Sequence, residues 1–279
     1  MAGSSRDALY GQLSECMQIM SWEASSNRLV VSVVSHGHGR CVQALLEEMA
    51  VLGAGVVSRV VVTLNIPEPD PAPPLDGWPF ALDITRNPAP LGFGMNHNRA
   101  LTAATEAFVC VLNPDVALAD RDPFAGLMEQ AAQYRVGCAY PQQVDEHGVV
   151  QDSERELPTP LALWRRRVWG RRETRVDWVN AACMVLPLTV WQSLNGFDEG
   201  YFMYCEDVDL CLRLRQGGWS LARAPVRVVH AGQRASHRRW DHLRWHVASL
   251  LRLWRSPVYR WANECLQSGK AAADNIGGS

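Results

Sequence analysis

The sequence has no run of about 18 uncharged apolar residues, so no helix is expected to span a membrane. Its opening, MAGSSRDALYGQLSECMQIM, lacks a continuous apolar stretch and does not read as a signal peptide. The eight cysteines, at positions 16, 41, 110, 138, 183, 205, 211 and 265, include no Cys-x-x-Cys pair. Several lie in apolar runs, as in FVCVLN and NAACMVL. They read as buried free thiols in a reducing compartment rather than a disulfide framework or zinc site. There is no internal repeat and no Gly-x-Gly-x-x-Gly fingerprint, which argues against an NAD enzyme. The basic residues are not interleaved with any nucleic-acid-binding motif, so no nucleic acid is expected as partner. These absences together predict a cytoplasmic protein.

What is present is ordinary globular composition: 279 residues, 47% hydrophobic and 20% charged. The length suits one large α/β domain, or one with a small appendage. Net charge is −2, unevenly spread. Residues 1–150 hold 8 Arg/Lys against 16 Asp/Glu, and residues 151–279 hold 19 against 13. The basic second half suggests an anionic partner such as a diphosphate or a lipid surface.

The first half alternates β-branched runs with helical spacing. Strands are predicted at Leu29–Ser35, Val56–Leu64, Phe80–Thr85 and Phe108–Leu112, and helices at Gly39–Leu52 and Asn96–Ala107. The proline-rich PEPDPAPPLDGWP is a loop. Near-continuous apolar strands separated by helices imply a mostly parallel sheet covered on both faces. Further on, RRRVWGRR reads as a basic mobile loop and Val176–Leu186 as a strand. Asp207–Gln216 reads as a helix stopped by Gly217–Gly218, and Ser220–His230 as another strand. The tail from Lys270 should fray.

Four constellations carry chemistry. Asp115 in VLNPDV follows a buried strand at the edge where open α/β sheets bind ligands. It is either a ligand for Mg²⁺ or Mn²⁺ or a helix-capping acid. RNPAPLGFGMNHN runs through a glycine turn into a helix start, where backbone N–H groups attract phosphate. Its bland alternative is a capped turn. In GFDEGYFMYCEDVDLCLR three acids, Glu206, Asp207 and Asp209, crowd a helix N-terminus behind a row of apolar residues. The helix dipole favours their charge, and Asp207 would be a proton acceptor. His230, ending an apolar strand, is either a metal ligand or a satisfied core histidine.

In this order, VVSVVSH, RNPAPLGFGMNHNRAL, VLNPDV, WVNAACMVLPLTVWQSLNGFDEGYFMYCEDVDLCLRLRQGGW and VVHAG, the sequence resembles the family 2 glycosyltransferases of glycosyltransferase-A fold. Within them it is most similar to bacterial rhamnosyltransferases of O-antigen and surface-polysaccharide assembly, over about residues 28–260. The resemblance implies an α/β fold with a Rossmann-like, mostly parallel sheet. It implies an N-terminal extension (1–27), a catalytic domain (28–235; donor part to about 120, acceptor part from 121) and a C-terminal helical region and tail (236–279).

The same resemblance implies residue roles. Asp207 would be the catalytic base, beside Glu206. Asp115 and His230 would hold Mg²⁺ or Mn²⁺, although Asn113 replaces the first acid of the family's Asp-x-Asp motif. Donor contacts would come from Ser35, His36, Asn65, Arg86, Asn87, Gly92, Phe93, Asn96, Asn98 and Asn113. The acceptor would meet Trp178, Asn180 and Asp209. Strand 2 ends in TLNIPEP, without the usual acidic Asp-Asn-x-Ser turn. The partners implied are a nucleoside-diphosphate sugar, dTDP-L-rhamnose by the overall likeness, and a glycan or polyprenyl-diphosphate-linked acceptor. The alternatives are a nucleotidyltransferase, which should show a Gly-rich basic loop where SHGHGRC stands, and a non-catalytic sugar-binding module, which has no need of Glu206-Asp207.

Arg238–Trp261 places Trp240, Leu243, Val247, Leu250, Leu251 and Trp254 on one helical face bordered by arginines, with Pro257 ending or kinking the helix. That face either packs on the sheet or lies at the cytoplasmic surface of the membrane.

Overall fold

The computed structural model describes residues 29–118, 121–169, 175–230 and 240–268. The expected N-terminal extension and tail, together with Arg171, Arg172, Ala231, Gly232, Arg238 and Arg239, lie outside the described residues. Eight strands form one mixed sheet: β1 (Leu29–Ser35), β2 (Val57–Leu64), β3 (Ala81–Arg86), β4 (Phe108–Leu112), β5 (Val116–Ala117), β6 (Val136–Val144), β9 (Cys183–Pro187) and β10 (Ser220–His230). Their order is β3-β2-β1-β4-β9-β6-β10-β5. The β3-β2-β1-β4 half is parallel, β9 runs antiparallel between β4 and β6, and β10 is parallel to β6. A small antiparallel pair, β7 (Glu154–Arg155) and β8 (Trp178–Val179), stands apart.

The central strands are buried on both faces because helices cover both. Leu29, Val31 and Val33 of β1 join Phe108, Cys110 and Leu112 of β4 in one core, under α1 (Gly39–Leu52) and α3 (Phe124–Ala131). The alternate residues Val30, Val109 and Val111 join the other core. It lies under α2 (Phe93–Leu101), α5 (Leu188–Ser193) and α6 (Glu206–Gln216). This two-sided alternation explains why the strands read as unbroken apolar runs. A third cluster joins Leu157, Tyr201, Val208 and Leu212 to the C-terminal helices α7 (Trp240–Arg255) and α8 (Pro257–Gln267). Ser256 caps α8, and Pro257 opens it.

Three expectations need correction. The basic loop at 165–172 is helical through residue 169, as α4 (Pro160–Trp169). Pro160 starts that helix, the Thr159 hydroxyl accepts from Ala162 N at 3.0 Å, and arginine is itself a good helix former, so the basic run continues the helix. The strand expected at 176–186 breaks into β8 and β9 at Asn180–Ala182. The helix expected at 96–107 is α2, beginning at Phe93 and ending at Leu101. Gly94 lies inside it because a Cβ there would sit 2.6 Å from the Phe197 Cβ; the glycine serves packing, not breaking. The cysteines are free thiols among the described residues, with Cys110, Cys138, Cys183, Cys205 and Cys211 buried. No described helix is long and apolar enough to cross a membrane.

Candidate active site

The parallel strands end on one edge, and the sequence places its polar loops there. Beyond β1, Ser35 Oγ accepts from His38 N at 3.1 Å. Beyond β2, Asn65 is 6% exposed and fully engaged. Its Oδ1 accepts from Leu91 N and from Asn87 Nδ2, both at 2.8 Å. Its Nδ2 donates to Leu91 O at 3.0 Å and lies 3.2 Å from His36 Nδ1. The Leu91 N–H fixes which way the amide faces, so Asn65 Nδ2 is the donor of that contact and His36 Nδ1 its acceptor. Asn87 Nδ2 also donates to Asn96 Oδ1 at 2.6 Å, and Asn96 Nδ2 to Leu91 O at 3.2 Å. Asn65, Asn87 and Asn96 thus hold one another and the turn at Leu91. Arg86 is ion-paired with Asp70.

The glycine turn is pressed onto the acid-bearing loop. A Cβ on Gly92 would lie 2.8 Å from Phe202 O, and Phe93 N donates to that same oxygen at 2.9 Å. Asn98 spans the gap further on. Its Oδ1 accepts from Phe197 N, and its Nδ2 donates to Phe197 O, each at 2.9 Å. Behind the turn His97 is fully buried, 2.8 Å from Ser32 Oγ, with its ring against Phe93. Burial pushes its pKa down to about 3, so it stays neutral.

Loop 197–205 ends in two consecutive left-handed residues, Tyr204 (φ 73°) and Cys205 (φ 65°). Non-glycine residues held there are strained by about 1–3 kcal/mol each, which is characteristic of functional sites. They deliver Glu206 and Asp207 to the first turn of α6. Asp207 is half-buried, and its carboxylate accepts from Val208 N at 2.8 Å, with the backbone amides of Asp207 itself and Ala181 also favouring its charge. Burial outweighs those bonds and raises its pKa. Glu206 is 6% exposed, with Oε2 unpartnered. Burial, and then the Asp207 charge, push its carboxyl well above the usual range. Asp209 is 3% exposed and bound to Arg213 at 2.6 Å; Arg213 also donates to Leu194 O and Gly196 O. That side chain braces α6 against the turn at 194–196.

The β4 loop meets this region through Asn113 N, which donates to Ala182 O at 2.8 Å, next to Ala181. Asp115 Oδ1 lies 3.4 Å from His230 Nε2. Burial opposes ionisation of Asp115, but the His230 hydrogen bond and charge, with the charge of His38, bring its pKa below the ordinary value. His230 Nδ1 lies 3.1 Å from Gln143 Oε1, whose amide is held in turn by Asn180. Nδ1 therefore carries a proton, and Nε2 faces Asp115, donating to the carboxylate when protonated and offering a ligand lone pair when not. A carboxylate and an imidazole lone pair fit a divalent cation that takes its remaining ligands from water and phosphate. No larger cluster of His, Cys, Asp and Glu able to hold a metal occurs among the described residues. Gln143, next to the C-terminal end of β6, carries no motif that would have flagged it from sequence. Trp178 Nε1 is occupied by Glu156 O at 2.9 Å.

No protein-family profile matches the chain. Rhamnosyltransferase WbbL of Escherichia coli (strain K12) is 30% identical over 187 residues, covering 58% of this chain and 69% of the relative. The N-acetylglucosaminyl-diphospho-decaprenol L-rhamnosyltransferase of Mycobacterium tuberculosis is 29% identical over 213 residues, again 69% of its length. The mannosyltransferase PcManGT from Pyrobaculum calidifontis, solved with GDP-Man and Mn²⁺, superposes with a TM-score of 0.56 at 17% identity. That superposition covers 90% of this chain and 76% of the other, and at this identity it bears on fold alone.

Proposed function

The chain belongs to the rhamnosyltransferase-like family 2 glycosyltransferases of glycosyltransferase-A fold, and from that premise we propose that it is an inverting, metal-dependent rhamnosyltransferase using Asp207 as its base. The proposed donor is dTDP-L-rhamnose, and the acceptor a glycan or polyprenyl-diphosphate-linked sugar in surface-polysaccharide synthesis, at the cytoplasmic face of the membrane. The observation that carries the reading is the setting of Asp207: a half-buried carboxylate, raised in pKa by burial and held by the Val208 N–H at 2.8 Å, beside the Asn113–Asp115 loop. A carboxylate moved toward neutrality is a stronger base, and fixed N–H bonds keep it aimed. Asp207 would take the proton of the acceptor hydroxyl as that oxygen attacks the anomeric carbon and the nucleoside diphosphate leaves. A single displacement inverts the anomeric centre, with no second carboxylate nucleophile.

Asp115 and His230 would hold Mg²⁺ or Mn²⁺, which when bound supplies Lewis acidity to the departing diphosphate. Asn65, Asn87 and Asn96 act in this reading by shaping the donor turn, since their amides are engaged with one another. His36, exposed at the end of β1, would meet the nucleotide. Asp209, bound to Arg213, positions α6. The donor half is residues 28–120 and the acceptor half 121–235.

The test is a panel of nucleotide sugars with Mg²⁺ or Mn²⁺ and a polyprenyl-diphosphate-linked acceptor, scored for released nucleoside diphosphate and for product anomer. dTDP-L-rhamnose should lead. Faster turnover of UDP-glucose would overturn the donor, and retained configuration the single displacement. Asp207→Asn should lower kcat by about 10²–10⁴-fold while donor affinity persists; near-normal turnover would remove Asp207 as the base.

A further inference from the structure

The C-terminal helix α7 has two unlike faces. Its inner face meets the loop that carries the acid pair. Arg252 binds Asp198 at 2.8 Å and lies over the Tyr201 ring, and Ser249 Oγ donates to Met203 O at 2.8 Å. Trp245 packs on Phe202, and His242 Nδ1 lies 2.9 Å from Tyr204 OH. Leu253 is fully buried in the core this face shares with α6 and α8.

The outer face keeps a row of apolar side chains in solvent. Leu243, Val247 and Leu251, on successive turns, are 55%, 47% and 40% exposed. Exposed Arg255 continues the row at its C-terminal end, and exposed Arg244 and Ala248 lie alongside it. The apolar face expected from the sequence is therefore split: Leu250 and Trp254 turn toward the core, and Leu243, Val247 and Leu251 do not. A second helix of the same composition begins beside it. Trp254 Nε1 donates to Pro158 O at 2.8 Å, just ahead of α4, which exposes Leu161 and Trp164 and carries Arg165–Arg167 in its sequence.

We propose that the outward face of α7 docks on an anionic lipid bilayer. The helix lies in the interface plane, with Leu243, Val247 and Leu251 entering the acyl boundary and Arg244 and Arg255 at the headgroups. Charge selects this occupant. An apolar stripe rimmed by arginine matches a surface that is apolar beneath and anionic above. A second copy of the chain would set arginine against arginine across a two-fold axis. The acid-bearing loop lies on the opposite side of the same helix, so docking leaves the site open. The inference does not depend on which sugar is transferred.

The test is co-sedimentation of the full chain with phosphatidylcholine vesicles, with and without phosphatidylglycerol, at low and high salt. The wild-type chain should pellet with anionic vesicles and be released by salt. Leu243→Gln/Val247→Gln/Leu251→Gln should weaken partitioning by about tenfold or more. Arg244→Gln/Arg255→Gln should weaken it by about 25-fold, some fivefold per arginine. All five positions are exposed, and circular-dichroism melting checks that both variants fold; should the first fail to fold, the arginine pair decides. Wild-type chain left in the supernatant at low salt overturns the proposal, as does a folded variant that binds undiminished. A wild-type dimer on gel filtration that the apolar substitutions split would assign the stripe to self-association instead. Vesicle binding without transferase activity would leave the docking surface standing and overturn only the catalytic reading.

Discussion

Replacing Gly92 with alanine tests whether the donor turn and the acid-bearing loop are built as one unit. The new Cβ would lie 2.8 Å from Phe202 O, 3.0 Å from Phe202 Cα and 3.1 Å from Tyr201 O. Carbon–oxygen contacts of this kind settle near ~3.3 Å or beyond, so the two segments must part by roughly half an ångström. Neither can yield cheaply. All three obstructing atoms are backbone, Tyr201 is 1% exposed, and Met203 O is held from the far side by Ser249. Overpacking of this sort costs about 1–3 kcal/mol, and the Phe93 N–Phe202 O hydrogen bond is strained with it. With about 2 kcal/mol lost and m about 2–3 kcal/mol/M, the urea midpoint should fall by about 0.7–1 M. Turnover should fall about tenfold, because a 1 Å misplacement can cost on the order of 10²-fold and this shift is about half that. Gly55→Ala is the matched control: nothing lies within 4 Å of its Cβ, so stability should hold or rise slightly. The assays are urea unfolding followed by tryptophan fluorescence, and nucleoside-diphosphate release. A Gly92→Ala midpoint equal to that of Gly55→Ala, with turnover within about twofold of wild type, would refute the reasoning.

Glu206→Gln should change the pH dependence of stability. The fold raises the Glu206 pKa, so its contribution is fully present below the unfolded carboxylate pKa and is lost as pH rises through the folded one. The glutamine variant should therefore gain on wild type between mildly acidic and mildly alkaline pH in urea melts; parallel curves would contradict the burial argument. Asp115→Ala and His230→Ala should each weaken donor binding in Mg²⁺ or Mn²⁺, measured calorimetrically, and EDTA should abolish turnover; equal affinity with and without metal would rule the bridge out. Gln143→Leu, which frees the His230 ring, should cost about 10–100-fold in metal-dependent donor affinity, and an unchanged titration would remove its orienting role. Asn65→Ala strips Leu91 N of its acceptor and should destabilise the chain by about 2 kcal/mol in urea unfolding; unchanged stability would show the turn to be held elsewhere.

The sequence determined the parts whose signal is local. β1, α1 and β4 follow from apolar runs that need only helices on both sides to be buried. The ends of α6 follow from clustered acids at one terminus and Gly217–Gly218 at the other. The order of motifs sufficed for the family, and the resemblance singled out Asp207, Asp115 and His230. Tertiary structure decided what depends on partners distant in sequence. Asn65 at the end of β2, and Asn87 and Asn96 in the glycine-turn segment, look like ligand donors, yet their amides are taken up by one another once β2 and the turn meet. Asp209 looks the equal of Asp207, but helical periodicity turns it inward to Arg213 while Asp207 faces the Ala181 backbone. Gln143 gains a role only because β6 and β10 pair in parallel and bring it beneath His230. On α7 the periodicity located an apolar face, but only the docking of Ser249 and Leu253 against loop 198–204 and α8 decided which part of it stays in water. Hydrophobic spacing states that a side chain prefers burial; whether a surface is there to bury it depends on elements far away in the chain.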